Sequence, residues 1–260
     1  MANTNFFQHF HKEEQAFVEK AIDWVDRVNN SQVPILTDFI DPRQLEIING
    51  IVNANIGLAM FFDGGYTSAE RVRALIAPDY WQRAAKDLGL SYFKVKGLNR
   101  FDQLEHKDYM GALLNIGIKR EKFGDILLAE NMAQYIVAIE IADYVRMELT
   151  KVKHSKIELI EISKDELVIP EKSYQINSIT VTSMRVDNII SQVYSQSRSN
   201  VSQLIRANKL KVNWRPVDQT DYILKEGDVI SVRGFGRFEL LTEEGNTKKG
   251  KHRIKIGKLV

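Results

Sequence analysis

The sequence predicts an α+β protein in three parts: a helical N-terminal region, a βαββαβ middle, and a C-terminal α+β module with two short helices backed by a small sheet. Three observations predict this. Apolar residues at helical spacing dominate residues 1–86, with little strand patterning. Strand-like and helix-like runs alternate regularly over residues 87–166. From 183 to 260, two short amphipathic segments precede four strand-like runs, and cations fill the gaps in the apolar pattern.

In the N-terminal region, residues 13–28 carry Phe17, Ala21, Val25 and Val28 as a core-facing helical stripe. Asp41-Pro42 opens a second helix through Ile47, Ile48 and Ile51. The carboxylate can cap, and proline in the first turn loses no needed N–H. The apolar run 56–62 ends at the turn Asp63-Gly64-Gly65. Thr67 to Glu70 has capping-box spacing and predicts a third helix over 69–76, closed by Pro78. On that helix Arg71 and Arg73 read either as solvated partners of Glu70 or as phosphate ligands.

The middle part predicts a strand over 90–95 and a helix over 106–116, with Tyr109, Leu113 and Ile116 inward and Gly117 as its stop. Strands over 126–129 and 134–139 join tightly at Glu130-Asn131. A helix over 142–149 and a strand over 156–162 complete the split ferredoxin-like order. RNA-recognition modules of this topology stack bases on sheet aromatics. The candidates are Tyr135 and one of Tyr92 and Phe93, which alternation sends to opposite faces. Lys119, Arg120 and Lys122 crowd one loop between Gly117 and Gly124 and form a secondary candidate for phosphate contact.

In the C-terminal part Val186, Ile189, Ile190 and Val193 share one helical face, and Val201, Leu204 and Ile205 another. Strand-like runs follow at 210–214 and 228–232. A hairpin of strands over 235–241 and 252–256 turns at Glu243-Glu244-Gly245-Asn246. From Ser183 onward fifteen Lys/Arg stand against eight Asp/Glu, whereas residues 1–182 hold twenty-one against twenty-six. The basic third therefore calls for a polyanion partner. Arg185, Arg198, Arg206, Lys209, Lys211 and Arg215 are the candidate contacts to phosphate and sugar. Ser199 is expected to cap the second helix, and Gln203 to reach ribose hydroxyls. Arg253 and Lys255 alternate with Ile254 and Ile256, so the hairpin can extend the basic surface.

Arg185-Val-Asp187, Ser197-Arg198-Ser199, Leu204-Ile205-Arg206, the stretch from Lys209 to Asn213 and Lys225-Glu-Gly-Asp228 together resemble the S4 RNA-binding domain. Its usual pattern places a glycine after Val-Asn, where this chain has Trp214. The stretches GGYTSAERVRALIAP and HKDYMGALLNIGIKREKFGDI, with that module, identify the chain as similar to the YlmH family of bacterial RNA-binding proteins. The resemblance implies binding to structured rRNA, and to tRNA, on the large ribosomal subunit. It further implies a role in quality control of complexes stalled with peptidyl-tRNA; an older label links the family to cell division.

Composition and motifs narrow the rest. Apolar content of 44% beside 27% charged residues predicts a globular chain. The chain has no cysteine, which removes disulfides, thiolate metal sites and cysteine nucleophiles, and fits a reducing, cytoplasmic compartment. The N-terminus lacks the pattern of a signal peptide, and no apolar run reaches bilayer length, so no membrane partner is expected. No phosphate-cradling, dinucleotide or nucleophile-elbow glycine motif occurs, and no cofactor or metal is called for. S4 modules also sit on pseudouridine synthases, RNA methyltransferases and tyrosyl-tRNA synthetases. The Gly-Arg-Leu-Asp stretch of the first is not found here. Asp63, Glu121 and Asp125 are the nameable carboxylates for a catalytic reading. The expectation is therefore a non-catalytic RNA-binding factor. The alternatives are an RNA-modifying enzyme and a division-linked adaptor.

Overall fold

A computed structural model describes residues 10–82, 84–98, 104–129 and 132–259. The chain forms two compact units, residues 16–170 and residues 171–259 with the segment 10–15. Among the described residues, no helix is long and apolar enough to cross a membrane.

The first unit opens with α1 (Gln15–Ser31), whose buried face is Val18, Ala21, Val25 and Val28. Phe17 lies beside this stripe and meets Trp24 edge-on at 6.0 Å. Strand β1 (Ile35–Ile40) leads into α2 (Pro42–Asn53). The Asp41 cap forms as expected: its carboxylate accepts from Gln44 N–H at 2.9 Å, and Gln44 accepts from Asp41 N–H at 2.9 Å. Strands β2 (Leu58–Asp63) and β3 (Val72–Pro78) then complete an antiparallel sheet in the order β1-β3-β2.

This sheet corrects the expectation of a helix over 69–76 and of little strand in the region. Every residue of β3 is buried, because it is the central strand and is covered on both faces. A short, fully buried strand reads as a continuous apolar run, which periodicity does not separate from a helix. The Thr67–Glu70 spacing does not cap a helix. Glu70 N–H instead donates to Asp125 at 2.7 Å.

The middle follows the expected order, with one small hairpin that was not expected: β4 (Leu90–Lys96), α3 (His106–Asn115), β5 (Phe123–Ala129), β6 (Met132–Ala138), α4 (Ala142–Glu148), the hairpin of β7 (Lys151–Val152) and β8 (Ser155–Lys156), which takes the start of the expected last strand, then β9 (Glu158–Ile162). The sheet order β5-β6-β4-β9, all antiparallel, is the ferredoxin-like arrangement. Gly117, at φ +86°, stops α3 where a side chain would be strained. The expected Glu130-Asn131 turn lies outside the described residues.

The two faces of this sheet are both covered. Phe93 and Tyr135 are register partners and lie in a core with Tyr109, Leu113, Val145 and Leu149 from the helices. Tyr92 and Ile136 are the next pair and point the other way. That second face packs against Phe39 of β1 and against Tyr66 and Leu167. Gly65 turns there at φ +99°, and a Cβ on it would come within 2.9 Å of the Tyr92 ring. The aromatic platform is therefore not open to bases. Phe93 and Tyr135 are core residues, and Tyr92 is overlaid by the N-terminal region.

The second unit contains β10 (Tyr174–Val181), α5 (Val186–Val193), α6 (Arg198–Arg206), β11 (Leu210–Val212), β12 (Arg215–Pro216), β13 (Val229–Val232), β14 (Gly236–Asn246) and β15 (His252–Leu259). They form a six-stranded sheet in the order β10-β15-β14-β13-β11-β12. Strand β10 was not among the expected elements; it pairs with β15 along its whole length. The helices bury Val186, Ile189, Ile190, Val201 and Ile205 against Leu210, Val212, Ile230, Phe238, Ile254 and Ile256. The long hairpin turns later than expected. β14 runs through Asn246, and the turn closes with Thr247 N–H bonded to Lys251 O at 2.7 Å. Cross-strand pairs explain the shift: Glu243 meets His252 at 2.7 Å and Glu244 meets Lys255 at 2.9 Å.

Candidate nucleic-acid interface

The helix pair places its cations through two buried polar residues. Arg185 stands at the N-cap position of α5, and its guanidinium donates to both oxygens of Asp187 at 3.1 Å. That bond and the nearby charge raise the Arg185 pKa. Its side chain remains 41% exposed, so it can still reach a ligand on its open side. One residue further along α5, buried Asn188 is anchored by its amide to Thr182 and Ser183. Its oxygen accepts from Arg198 at 2.9 Å, which fixes the start of α6 beside the start of α5. Asn188 was not foreseen as a positioning residue. Its signal in the sequence is an amide beside two isoleucines of an otherwise apolar helix face.

Ser197, not Ser199, caps α6: its hydroxyl accepts from Asn200 N–H at 3.2 Å. Ser197 has the extended backbone that a cap requires, and Ser199 is already inside the first turn. Ser199 and Gln203 are exposed, as are Arg198, Arg206, Lys209, Lys211 and Arg215. Among the described residues none of these five cations has an ion-pair partner. Unpaired cations on a surface rich in exposed polar groups are what a phosphate backbone requires.

The sheet presents further cations away from the helices. Lys211 of β11, Ser231 of β13 and Arg237 of β14 are register partners in one row. Leu210, Val212, Ile230 and Val232, which alternate with them, are buried under the helices. Arg253 and Lys255 alternate in the same way with buried Ile254 and Ile256. The helix-borne and sheet-borne cations thus occupy different faces of the module. Between β11 and β12 the chain turns on two residues, Asn213 at φ +49° and Trp214 at φ +62°. The tight turn is kept although tryptophan stands where the S4 pattern has glycine.

In the other unit four of the candidate cations, Arg71, Arg73, Arg120 and Lys122, have structural partners. Arg73 is buried and donates to Thr37 O at 2.9 Å, to Gly89 O at 2.8 Å and to Glu140 at 2.9 Å. Arg71 donates to Phe39 O at 2.7 Å, and burial lowers its pKa. Neither is a solvated helix residue. Arg120 donates to Phe123 O at 2.7 Å and lies 4.4 Å from the Phe123 ring centre. Burial, aided by neighbouring Arg71, pushes its pKa down to about 10. Lys122 pairs with Asp38 at 2.5 Å and with Glu140 at 3.1 Å. Of the three loop cations only Lys119 is exposed.

Two of the carboxylates named for a catalytic reading, Asp125 and Asp63, have hydrogen-bond partners, and Glu121 and Asp125 both act on the charge of Arg71. Asp125 accepts from Tyr66 Oη at 2.8 Å and from the N–H groups of Glu70 and Arg71 at 2.7 and 3.2 Å. Burial raises its pKa, against the lowering effect of those bonds. Asp63 accepts from Gly65 N–H and from Lys164, each at 2.7 Å. A cleft of about 340 Å³ is lined by Asp63 with Leu45, Phe62, Tyr66, Thr67 and Glu70.

Residues 13–81 match the family model "YlmH, N-terminal", residues 84–166 the model "Putative RNA-binding domain in YlmH", and residues 184–230 the S4 domain. The chain is 39% identical over 252 residues to "Ribosome-associated protein quality control protein P2" of Bacillus subtilis (strain 168), covering 96% of this chain and 97% of that one. A solved structure, "Cell division protein ylmH from Streptococcus pneumoniae", is 33% identical with a TM-score of 0.54, covering 61% of this chain and 96% of that one. With three family models in order and a relative matched end to end, the chain belongs to the YlmH family.

Proposed function

We propose that this protein is a non-catalytic RNA-binding factor that docks on structured rRNA, and on tRNA, of the large ribosomal subunit, in the quality control of complexes stalled with peptidyl-tRNA. The observation that carries the reading is the group of exposed cations without ion-pair partners, among the described residues, on the S4 module: Arg198, Arg206, Lys209, Lys211 and Arg215, with Arg185 half engaged by Asp187. The name of the Bacillus subtilis relative, a ribosome-associated quality control protein, supports the ribosomal setting. The phosphate contacts supply affinity and orientation rather than sequence choice. Because the ferredoxin-like sheet is covered on both faces, any contact from the first unit falls to its edges and loops, Lys119 among them.

The test is co-sedimentation of the full chain with separated ribosomal subunits. The expected result is a pellet with large subunits that salt releases. If the chain stays in the supernatant at low salt, the reading fails. If it is instead retained by a division protein after RNase treatment, the adaptor reading replaces it; the cell-division name of the Streptococcus pneumoniae relative favours that alternative.

A further inference from the structure

The turn between β11 and β12 is built in a way that the fold alone does not require. Val212 and Arg215 are register partners, so Asn213 and Trp214 form a two-residue loop with φ positive at both positions. Such loops favour Asn-Gly. Asn213 suits its place: its side chain accepts from Val229 N–H at 2.9 Å and donates to Asp228 at 2.8 Å. Trp214 does not, since a bulky residue at φ +62° is a backbone outlier that glycine would relieve.

Trp214 is partly exposed and does not belong to the buried cluster of the module. The guanidinium of Arg237 lies 5.2 Å from its ring centre. Exposed Arg215 is its chain neighbour, and Lys211 shares the cross-strand row with Arg237. A strained residue kept at a surface is a sign of use at that surface. An accessible aromatic ring among arginines and a lysine has the composition of a base-stacking platform.

We propose that Trp214 stacks an unpaired RNA base, with Lys211, Arg215 and Arg237 engaging the flanking phosphates. This gives the S4 module a contact for single-stranded or looped RNA that its helix-borne cations do not supply. The inference rests on the RNA-binding reading above.

The test uses the full chain with two fluorescent probes, an RNA hairpin with an unpaired loop and the blunt duplex of the same stem. Trp214→Gly and Trp214→Asn both accept positive φ, so either keeps the turn without the ring. Each is expected to weaken hairpin binding about 5- to 150-fold, the loss of one stacked base. Duplex binding and the salt slope should be unchanged and the thermal midpoint should not fall. Trp214→Phe should retain most of the affinity. Hairpin binding by both ring-less variants at the wild-type level, while Arg198→Ala with Arg206→Ala weakens it, overturns the stacking alone. Equal loss on hairpin and duplex also overturns it. A wild-type chain that binds neither probe overturns the RNA-binding reading itself.

Discussion

Replacing Arg198 and Arg206 together by alanine removes two exposed guanidinium groups from α6 at small structural cost. Arg198 loses one hydrogen bond, to Asn188, worth about 1 kcal/mol net. Arg206 sits in the last helical turn, where its charge contributes roughly 0.3–1 kcal/mol against the helix dipole. The fold should therefore lose no more than about 2 kcal/mol. RNA affinity should fall much further and in a salt-dependent way. Each phosphate contact contributes about 0.7–0.9 to the slope of log K against log salt. Two lost contacts then lower the slope by about 1.4–1.8 and the affinity about 25- to 60-fold at 0.1 M salt. At 0.3 M the same defect shrinks to about 5- to 9-fold. Fluorescence anisotropy of a structured rRNA fragment across that salt range measures both numbers. A defect of constant size at all salt concentrations would refute the reasoning, because it would mean lost shape rather than lost phosphate contacts.

Two further predictions concern the first unit. Asp125→Asn offers one acceptor oxygen and an amide donor where three donors converge, and should cost about 2–4 kcal/mol, read as a lower urea midpoint; an unchanged midpoint would show that the three bonds are not needed. Glu140→Gln removes the charge that faces Arg73 and Lys122 and should cost about 1–2 kcal/mol after allowance for solvent screening. Burial alone would raise the Glu140 pKa, but the backbone bond, Lys122 and Arg73 outweigh it and the net shift is downward. Its stabilisation is thus fully present above the ordinary Glu value and lost as pH falls through the lower folded value. The difference between wild type and Glu140→Gln, followed by urea titration, should be constant near neutrality and vanish in acid; a difference that grows in acid reverses the sign and refutes the assignment.

Much of the architecture was legible because it depends on local chemistry. Asp41-Pro42 announces α2, Gly117 ends α3, and alternation around Tyr92 and Phe93 marks a strand. What was not legible depends on partners far along the chain. Val72–Pro78 is a strand only because β1 and β2 flank it. Arg73 is drawn inward by Thr37 and Glu140, thirty-six and sixty-seven residues away. In the S4 module the cations were identifiable from spacing, since no acid competes for most of them. The cap at Ser197 rather than Ser199 is a two-residue difference that only backbone geometry decides.

The seating of Phe39 beside Leu127, Ile136 and Ala138 has a practical consequence. A fragment spanning only the ferredoxin-like segment would be stripped of its apolar lid. Leu127, Ile136 and Tyr92 would then meet water, at a loss of about 1.5–3 kcal/mol for each large side chain uncovered. Such a fragment should clump or self-associate, and RNA binding measured on it would report stickiness of a surface that the intact chain never displays.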